Sequence, residues 1–302
     1  GMMNVIGMDF VGIPTVLIGH NQRMAWTTTS GGGDISDTYI EVLNPDNHHQ
    51  YKFNGEWLDM ERRAETIRVR QSDGSFKEVE EPLYRTIHGV VTGWDEKNHR
   101  AITVKHAWWG NYDYSMLKAF LGFNRAEDVK DFERGCRLIQ STHHFFYADQ
   151  KGDIAYYWVG RYPIHAEGTD PRLPSMGTGE QEWRGVVRWK KHPQSVNPKQ
   201  GYFGNWNNKP GDKWKSLYNR VFWGHRILER LKNDDAITLE EMEHIAVETG
   251  RNDFMSDYLE SYLLEGAQHP RAASDARIGQ VEDSRNGVVE IIKNYSHRRG
   301  DG

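Results

Sequence analysis

The chain has 302 residues, a formal net charge of −5 and a sequence pI of about 6.3. This charge excludes a basic surface that binds nucleic acid, and no apolar run is long enough to cross a membrane as a helix. The 11 Trp, 14 Tyr and 11 Phe offset a low mean hydropathy of −0.79, because each aromatic side chain buries a large area. We therefore predict a globular protein with one large domain or two smaller ones.

The first half of the chain is rich in β-branched and aromatic residues separated by turn-forming residues, a pattern typical of strands. We predict strands over residues 15–18, 25–29, 38–43, 66–70, 76–80, 86–92 and 101–105. Asn54-Gly55 predicts a hairpin turn, because both residues accept positive φ angles.

Helical periodicity follows over residues 114–123 and 126–134, and two further strands are predicted over 145–148 and 154–159. The single cysteine, Cys136, excludes an internal disulfide, and its helical context indicates a core residue and not a nucleophile. From residue 217 onward the pattern is mostly helical, and Thr238 with Glu241 forms a capping box. Strands followed by helices predict a layered α+β domain.

Residues 201–210, with the sequence Gly-Tyr-Phe-Gly-Asn-Trp-Asn-Asn-Lys-Pro, hold the most distinctive polar cluster of the chain. Asparagine is unfavourable inside strands and helices because its amide competes for backbone hydrogen bonds. The cluster predicts a turn in which side-chain amides are directed at a ligand or at another segment. The alternative is a surface turn held by Asx hydrogen bonds.

Several sequence blocks resemble those of the penicillin amidase (penicillin acylase) family of N-terminal-nucleophile hydrolases, and they occur in the same order. The blocks are IPTVLIGHN at 13–21, AWTTT at 25–29, DISDTYIE at 34–41, YADQKGDIAY at 147–156, the asparagine cluster, and WGHR at 223–226. The resemblance extends from about Gly12 to Asn252. It implies part of a four-layer α-β-β-α sandwich with mainly antiparallel sheets, as one incomplete domain that is strand-rich over 12–210 and helix-rich over 217–295.

Amide hydrolysis passes through a tetrahedral oxyanion, which requires hydrogen-bond donors placed where the charge develops. The resemblance implies that the Asn207 side chain and the Ser30 backbone N–H are these donors. It also implies that Arg226 orients the asparagine amide and a terminal amine, as a planar guanidinium can. The alternatives are an ordinary turn at Ser30 and a helix-surface ion pair for Arg226.

The resemblance further implies an acyl-binding pocket formed by Ile18, Phe120 and His143. His143 stands where an aliphatic residue is common, which makes the pocket less apolar. A metal pair of His143 and His144 is excluded, because neighbouring residues of a strand point to opposite faces.

The resemblance implies no required cofactor, but it does imply a structural calcium ion at a segment that matches the calcium-binding segment of many family members. Its ligands would be Asp34, Ser36, Asp37 and Pro171, which together offer the oxygen atoms that Ca²⁺ prefers. The alternative is that Asp34 and Asp37 cap turns.

The nucleophile implied by the resemblance is a serine at the N-terminus of a β-chain freed by self-cleavage, a few tens of residues before the Gly19-His20-Asn21 block. This sequence reaches that block almost at once, so we interpret it as an internal fragment of the β-chain. The expected function is hydrolysis of acyl amides, such as penicillins, cephalosporins or acyl homoserine lactones, by the complete form. The alternative is a catalytically inactive domain with a structural or ligand-binding role.

The partners implied are a small-molecule amide substrate and a complementary chain that carries the nucleophile, with neither nucleic acid nor membrane as a partner. Strand edges and apolar surface left uncovered in a fragment also predict a homo-oligomer. Members of the family are often periplasmic or secreted, and the chain itself leaves its localisation open.

Overall fold

A computed structural model describes residues 3–110, 114–211, 214, 225–234 and 236–251. In chain order the strands are β1 (Val5–Met8), β2 (Ile18–Asn21), β3 (Met24–Ser30), β4 (Ser36–Asn44), β5 (Asn47–Phe53), β6 (Glu56–Asp59), β7 (Glu61–Arg70), β8 (Phe76–Thr86), β9 (Gly89–Asp95), β10 (Arg100–His106), β11 (His143–Asp149), β12 (Ile154–Val159), β13 (Ser175–Met176) and β14 (Gln194–Val196). The helices are α1 (Ser115–Arg125), α2 (Val129–Cys136), α3 (His225–Asn233) and α4 (Leu239–Arg251). They form two compact units, one up to residue 222 and one from residue 223.

The first sheet has six antiparallel strands in the order β1-β2-β3-β11-β12-β14. Alternate residues of β3 and β11, among them Trp26, Phe145 and Tyr147, face α1 and α2 and form the main core. The helices contribute Phe120, Phe123, Phe132 and Cys136 to this core. The predicted core position of Cys136 is confirmed, since its side chain is fully buried.

The second sheet has eight strands, with the order β6-β5-β4-β10-β9-β8-β7 and β13 paired in parallel with β4. In β4 the burial alternates, and Asp37, Tyr39, Glu41 and Leu43 are the buried residues. Two mainly antiparallel sheets with helices confirm the predicted α+β class.

Two hairpins of the second sheet follow local turn chemistry. Asn54 (φ 50°) and Gly55 (φ 88°) form the predicted turn between β5 and β6, with the positive φ angles of a type I′ turn. Strands β7 and β8 pair from Glu61↔Arg85 to Arg70↔Phe76, and both are exposed over most of their length.

Two predicted strands are shifted or divided in the structure. The prediction for 15–18 is wrong, because β2 begins only at Ile18 and includes the Gly-His-Asn segment. Both backbone groups of Val16 are instead bonded to the Asn124 side chain, with N–H to Oδ1 at 3.0 Å and Nδ2 to C=O at 2.7 Å. The strand predicted over 86–92 is interrupted at Ile87 and His88 by a turn whose buried residue is His88.

The second unit contains α3 and α4. The predicted capping box is confirmed, because the Glu241 N–H donates to Thr238 Oγ1 at 3.2 Å and the Thr238 N–H donates to Glu241 Oε2 at 2.7 Å. Among the described residues, no helix combines the length and apolar character that membrane crossing requires.

Candidate active site

The asparagine cluster folds into one turn that presents Asn207 to the first sheet. The Asn207 N–H donates to Asn205 Oδ1 at 3.0 Å, and the Trp206 N–H donates to Asn208 Oδ1 at 3.2 Å. Asn207 has a left-handed backbone with φ of 58°, which asparagine accepts more readily than most residues. Asn205 and Asn208 therefore hold the turn, while the side chain of Asn207 reaches outside it.

That side chain contacts the end of β3. Thr29 Oγ1 donates a hydrogen bond to Asn207 Oδ1 at 2.5 Å, in a partly buried position. Because the carbonyl oxygen of the amide accepts this bond, the orientation of the side chain is fixed and Nδ2 becomes its donor end.

Ser30 follows Thr29 at the end of the same strand. It pairs with His143 in the ladder, and the next residue, Gly31, donates its N–H to the Thr142 C=O at 3.0 Å. Since successive residues of a strand point their N–H groups to opposite sides, the Ser30 N–H points away from β11. The two predicted oxyanion donors therefore lie at the same end of β3, and their catalytic role remains a prediction.

Arg226, the third predicted catalytic residue, lies in the first turn of α3 in the second unit. Its side chain lies outside the described part of the chain.

The residues predicted for the acyl pocket lie on the helical side of the first sheet. Ile18 packs against the core cluster that contains Phe120. His143 lies at the start of β11, with its ring centroid 6.2 Å from that of Phe145 and its Nδ1 3.1 Å from Ser141 Oγ. Burial lowers the pKa of His143, so its ring is neutral at neutral pH.

An apolar cavity of about 700 Å³ opens beside this region. Its lining includes Trp108, Trp109, Met116 and Leu117, together with Ser141, which contacts His143. None of Ile18, Phe120 and His143 lines it directly. The cavity size is typical of a small-molecule site, so an apolar cavity adjoins the predicted pocket residues without being formed by them.

His144 faces the opposite side of the sheet from His143. Its Nδ1 lies 2.9 Å from Tyr156 Oη, and burial lowers its pKa to about 4. The two histidines thus have separate partners, as the strand alternation predicts.

The predicted calcium residues form part of a buried ionic cluster. His165 Nε2 lies 2.8 Å from Asp37 Oδ2 and 4.0 Å from Asp34 Oδ2. Trp183 Nε1 donates to the same Asp37 Oδ2 at 2.5 Å. Ser36 begins β4 between the two aspartates, and Pro171 lies in a partly buried turn.

The two carboxylates of this cluster favour a bound cation. Burial, reinforced by Asp37, raises the pKa of Asp34 to about 6, while hydrogen bonding to Asp37 raises the pKa of His165. Within the described residues, Asp34 Oδ2 is buried without a hydrogen-bond partner. The aspartates offer the oxygen atoms that suit Ca²⁺, but Asp37 Oδ2 already accepts the Trp183 N–H and lies 2.8 Å from His165 Nε2.

Three residues of these sites were missed from the sequence: Thr29, His165 and Trp183. Thr29 lies in a run of three threonines, of which strand alternation places only some on the face of Asn207. His165 and Trp183 come from loops more than a hundred residues after Asp37, and no local pattern connects them.

Comparisons with known proteins agree with this architecture. The sequence model of the penicillin amidase family matches residues 1–299. The chain is 31% identical over 287 residues to penicillin G acylase of Escherichia coli, covering 92% of this chain and 33% of the relative. It is 28% identical over 228 residues to acyl-homoserine lactone acylase QuiP of Pseudomonas syringae pv. syringae, covering 73% of this chain and 27% of the relative.

A solved structure is also similar. Thermostable penicillin G acylase from Alcaligenes faecalis superposes with a TM-score of 0.75 at 30% identity, covering 88% of this chain and 50% of that chain. The chain thus spans between 27% and 50% of the length of these relatives.

Proposed function

The chain belongs to the penicillin amidase family, and from this we propose that it supplies the oxyanion-binding part of an acylase that hydrolyses acyl amides. Penicillins, cephalosporins and acyl homoserine lactones are the substrate classes we propose for the complete form. Relatives named for penicillin G and for acyl homoserine lactones support this range.

The hydrogen bond between Thr29 and Asn207 is the observation that carries the proposal. It brings an amide donor next to the strand end where the Ser30 N–H leaves the ladder. A developing oxyanion gains most from donors that are already in place before the reaction, because no reorganisation is then needed. The geometry therefore suits the stabilisation of a tetrahedral intermediate.

The attacking group is proposed to be the N-terminal serine that the family implies, with its own α-amine as general base. A complementary chain would contribute this serine. Arg226 is proposed to orient the Asn207 amide.

The acyl group is proposed to bind on the helical side of the first sheet, near Ile18, Phe120 and His143. A neutral histidine beside aromatic side chains suits the non-covalent binding of an acyl group that has both apolar surface and a hydrogen-bonding atom.

We also propose that Asp34, Ser36, Asp37 and Pro171 hold a structural calcium ion. The orphaned Asp34 Oδ2 and the raised pKa of that carboxyl support this proposal, since both indicate an incompletely compensated site.

Hydrolysis of a chromogenic phenylacetyl anilide and of an acyl homoserine lactone by the purified chain, combined with the complementary chain that carries the serine, tests the function. Asn207→Ala is expected to lower kcat by about 10²–10³-fold, as the loss of one oxyanion donor does. Thr29→Val is expected to lower kcat by about tenfold with little change in KM, because one positioning hydrogen bond contributes about 0.5–1.5 kcal/mol.

Thr28→Val is the matched control, because the buried Thr28 hydroxyl has no hydrogen-bond partner among the described residues. Unchanged turnover in Asn207→Ala would contradict the proposed oxyanion site. No turnover after the complementary chain has been supplied would favour a structural or ligand-binding role instead.

A further inference from the structure

A second cavity lies in the first unit, at the ends of strands β8, β9 and β10 of the eight-stranded sheet. It has a volume of about 550 Å³ and is formed by the turn between β8 and β9, the end of β10 and the residues after β12. Its lining contains Arg85, His88, Lys105, His106 and Arg161 but no carboxylate. In a chain with a net charge of −5, this is a local concentration of cationic side chains.

Most of these cations are neutralised by carboxylates behind the cavity wall. Arg85 pairs with Glu61 at 2.5 Å, and Lys105 pairs with Glu182 at 2.7 Å. His88 Nε2 also lies 2.7 Å from Glu182. These side chains shape the wall without leaving a full positive charge for a ligand.

Arg161 differs from them. Among the described residues, nothing forms an ion pair or a side-chain hydrogen bond with its guanidinium, and its Nε is buried. Only its backbone N–H has a partner, the Gln140 C=O at 3.1 Å. Arg161 is partly buried, and burying an uncompensated charge even in part is unfavourable, which a guanidinium cannot avoid by losing its charge. Because Arg161 lines the cavity and no described side chain compensates its charge, the guanidinium is available to an anion there.

The remaining wall is aromatic. Trp109 lies nearly parallel to His106, with an interplanar angle of 3° and ring centroids 6.1 Å apart. Trp183 lies beside the Lys105 ammonium, which is 4.9 Å from the centre of its ring. Flat aromatic surfaces of this kind contact a planar, apolar ligand group.

We propose that this cavity binds a small aromatic carboxylate, with the carboxylate on the Arg161 guanidinium and the ring against Trp109 and Trp183. One uncompensated positive charge matches one negative charge, which favours a monoanion over a phosphate dianion. The planar fork of a guanidinium also fits a carboxylate through two parallel hydrogen bonds. The site uses neither Asn207 nor Ser30.

Calorimetric titration of the full chain with benzoate tests this site, with benzamide, acetate and inorganic phosphate as comparison ligands. Benzoate is expected to bind with a Kd on the order of 1 mM or below, a reasonable affinity for so small a ligand. Benzamide has the same shape without the charge, and acetate has the charge without the ring. Both are expected to bind at least about tenfold more weakly, since a charge-assisted contact or a buried ring contributes about that much.

Arg161→Gln is expected to weaken benzoate binding by at least tenfold, which corresponds to about 1.4 kcal/mol. Arg161→Lys keeps the charge but loses the fork, so it is expected to retain weaker binding, and it serves as the test if the glutamine variant does not fold. The matched control is Arg172→Gln, because Arg172 is exposed and already paired with Asp170 at 2.6 Å.

Four outcomes would overturn the proposal. These are no benzoate binding at about ten times the expected Kd, equal affinity in the folded Arg161 variants, equal binding of benzamide, and tighter binding of phosphate than of benzoate. Circular dichroism spectra of each variant establish that the fold is retained.

Discussion

Replacing Glu41 by glutamine removes the charge at the centre of a fully buried polar cluster in the eight-stranded sheet. Glu41 Oε1 accepts hydrogen bonds from Thr86 Oγ1 at 2.7 Å and from Thr103 Oγ1 at 2.8 Å. It also lies 2.8 Å from His88 Nδ1, and the side chains of both residues are 0% exposed. Glutamine keeps the shape of the side chain, so the substitution isolates the effect of the charge.

The magnitude follows from the ionic partner. Burial alone would lower the pKa of His88, but hydrogen bonds to Glu182 and Glu41 raise it. Removing one partner of a buried ion pair costs about 3–5 kcal/mol. Because Glu182 still contacts His88 at 2.7 Å, we expect the lower end, about 3 kcal/mol. At about 2–4 °C per kcal/mol for a protein of this size, Tm should fall by about 6–12 °C.

The penalty should also depend on pH. The pKa of His88 is higher in the folded state than its ordinary value of 6.5. The stabilisation from its imidazolium is therefore complete below that value and is lost as the pH rises through the folded pKa. Glu41→Gln should consequently cost more stability at about pH 6 than at about pH 9.

Thermal unfolding followed by circular dichroism measures both effects. Glu56→Gln is the matched control, because Glu56 is exposed and a surface substitution of this kind changes stability by less than about 0.5 kcal/mol. A penalty below about 1 kcal/mol near pH 6, or one that is the same at both pH values, would refute the reasoning.

Three further predictions concern other parts of the first unit. Calcium should raise the Tm of the wild type but not that of Asp34→Asn, and an equal shift in Asp34→Asn would contradict the calcium site. The shift should be smaller at about pH 5 than at about pH 8, because protons compete for a carboxyl whose pKa is raised to about 6. Burial raises the pKa of the Cys136 thiol, so a disulfide reagent should react only as fast as the protein unfolds, whereas reaction as fast as with free glutathione would contradict the buried position. Asn124→Ala removes both hydrogen bonds to Val16 and should lower the free energy of unfolding, measured in urea, by about 2–3 kcal/mol. Substitution of an exposed asparagine, Asn98→Ala, is the control. Equal stability of the two variants would contradict the role of the Asn124–Val16 hydrogen bonds.

The elements that could be predicted from the sequence are those with strong local signals. Alternation located β4 and part of β7, and the Asn54-Gly55 pair located a turn, because these patterns depend on neighbouring residues alone. The strand expected at 15–18 was misplaced because Asn124, which is 108 residues away, binds the backbone of Val16. A contact over that sequence distance has no local signature.

The candidate site shows the same limit. In β4 the buried face contains Asp37 and Glu41. A reading of the sequence by polarity alone would place these charged residues on the solvent side. The resemblance indicated Asn207 and Ser30 as partners, whereas Thr29, which bonds Asn207 across 178 residues, became apparent only in three dimensions. Polar residues that satisfy one another inside a fold cannot be separated by sequence pattern from those that face water.

The two-stranded ribbon formed by β7 and β8 offers a site for attaching a label to this protein. Its tip turns at Gly74, where φ is 85° and an added Cβ would meet no atom within 4 Å, and Asp73 holds the turn through the Ser75 N–H at 2.9 Å. Between Glu61 and Leu83 the two strands pair with each other alone among the described residues. An epitope or fluorophore attached at that tip would report on the protein from a distance, without disturbing the main core or the asparagine turn.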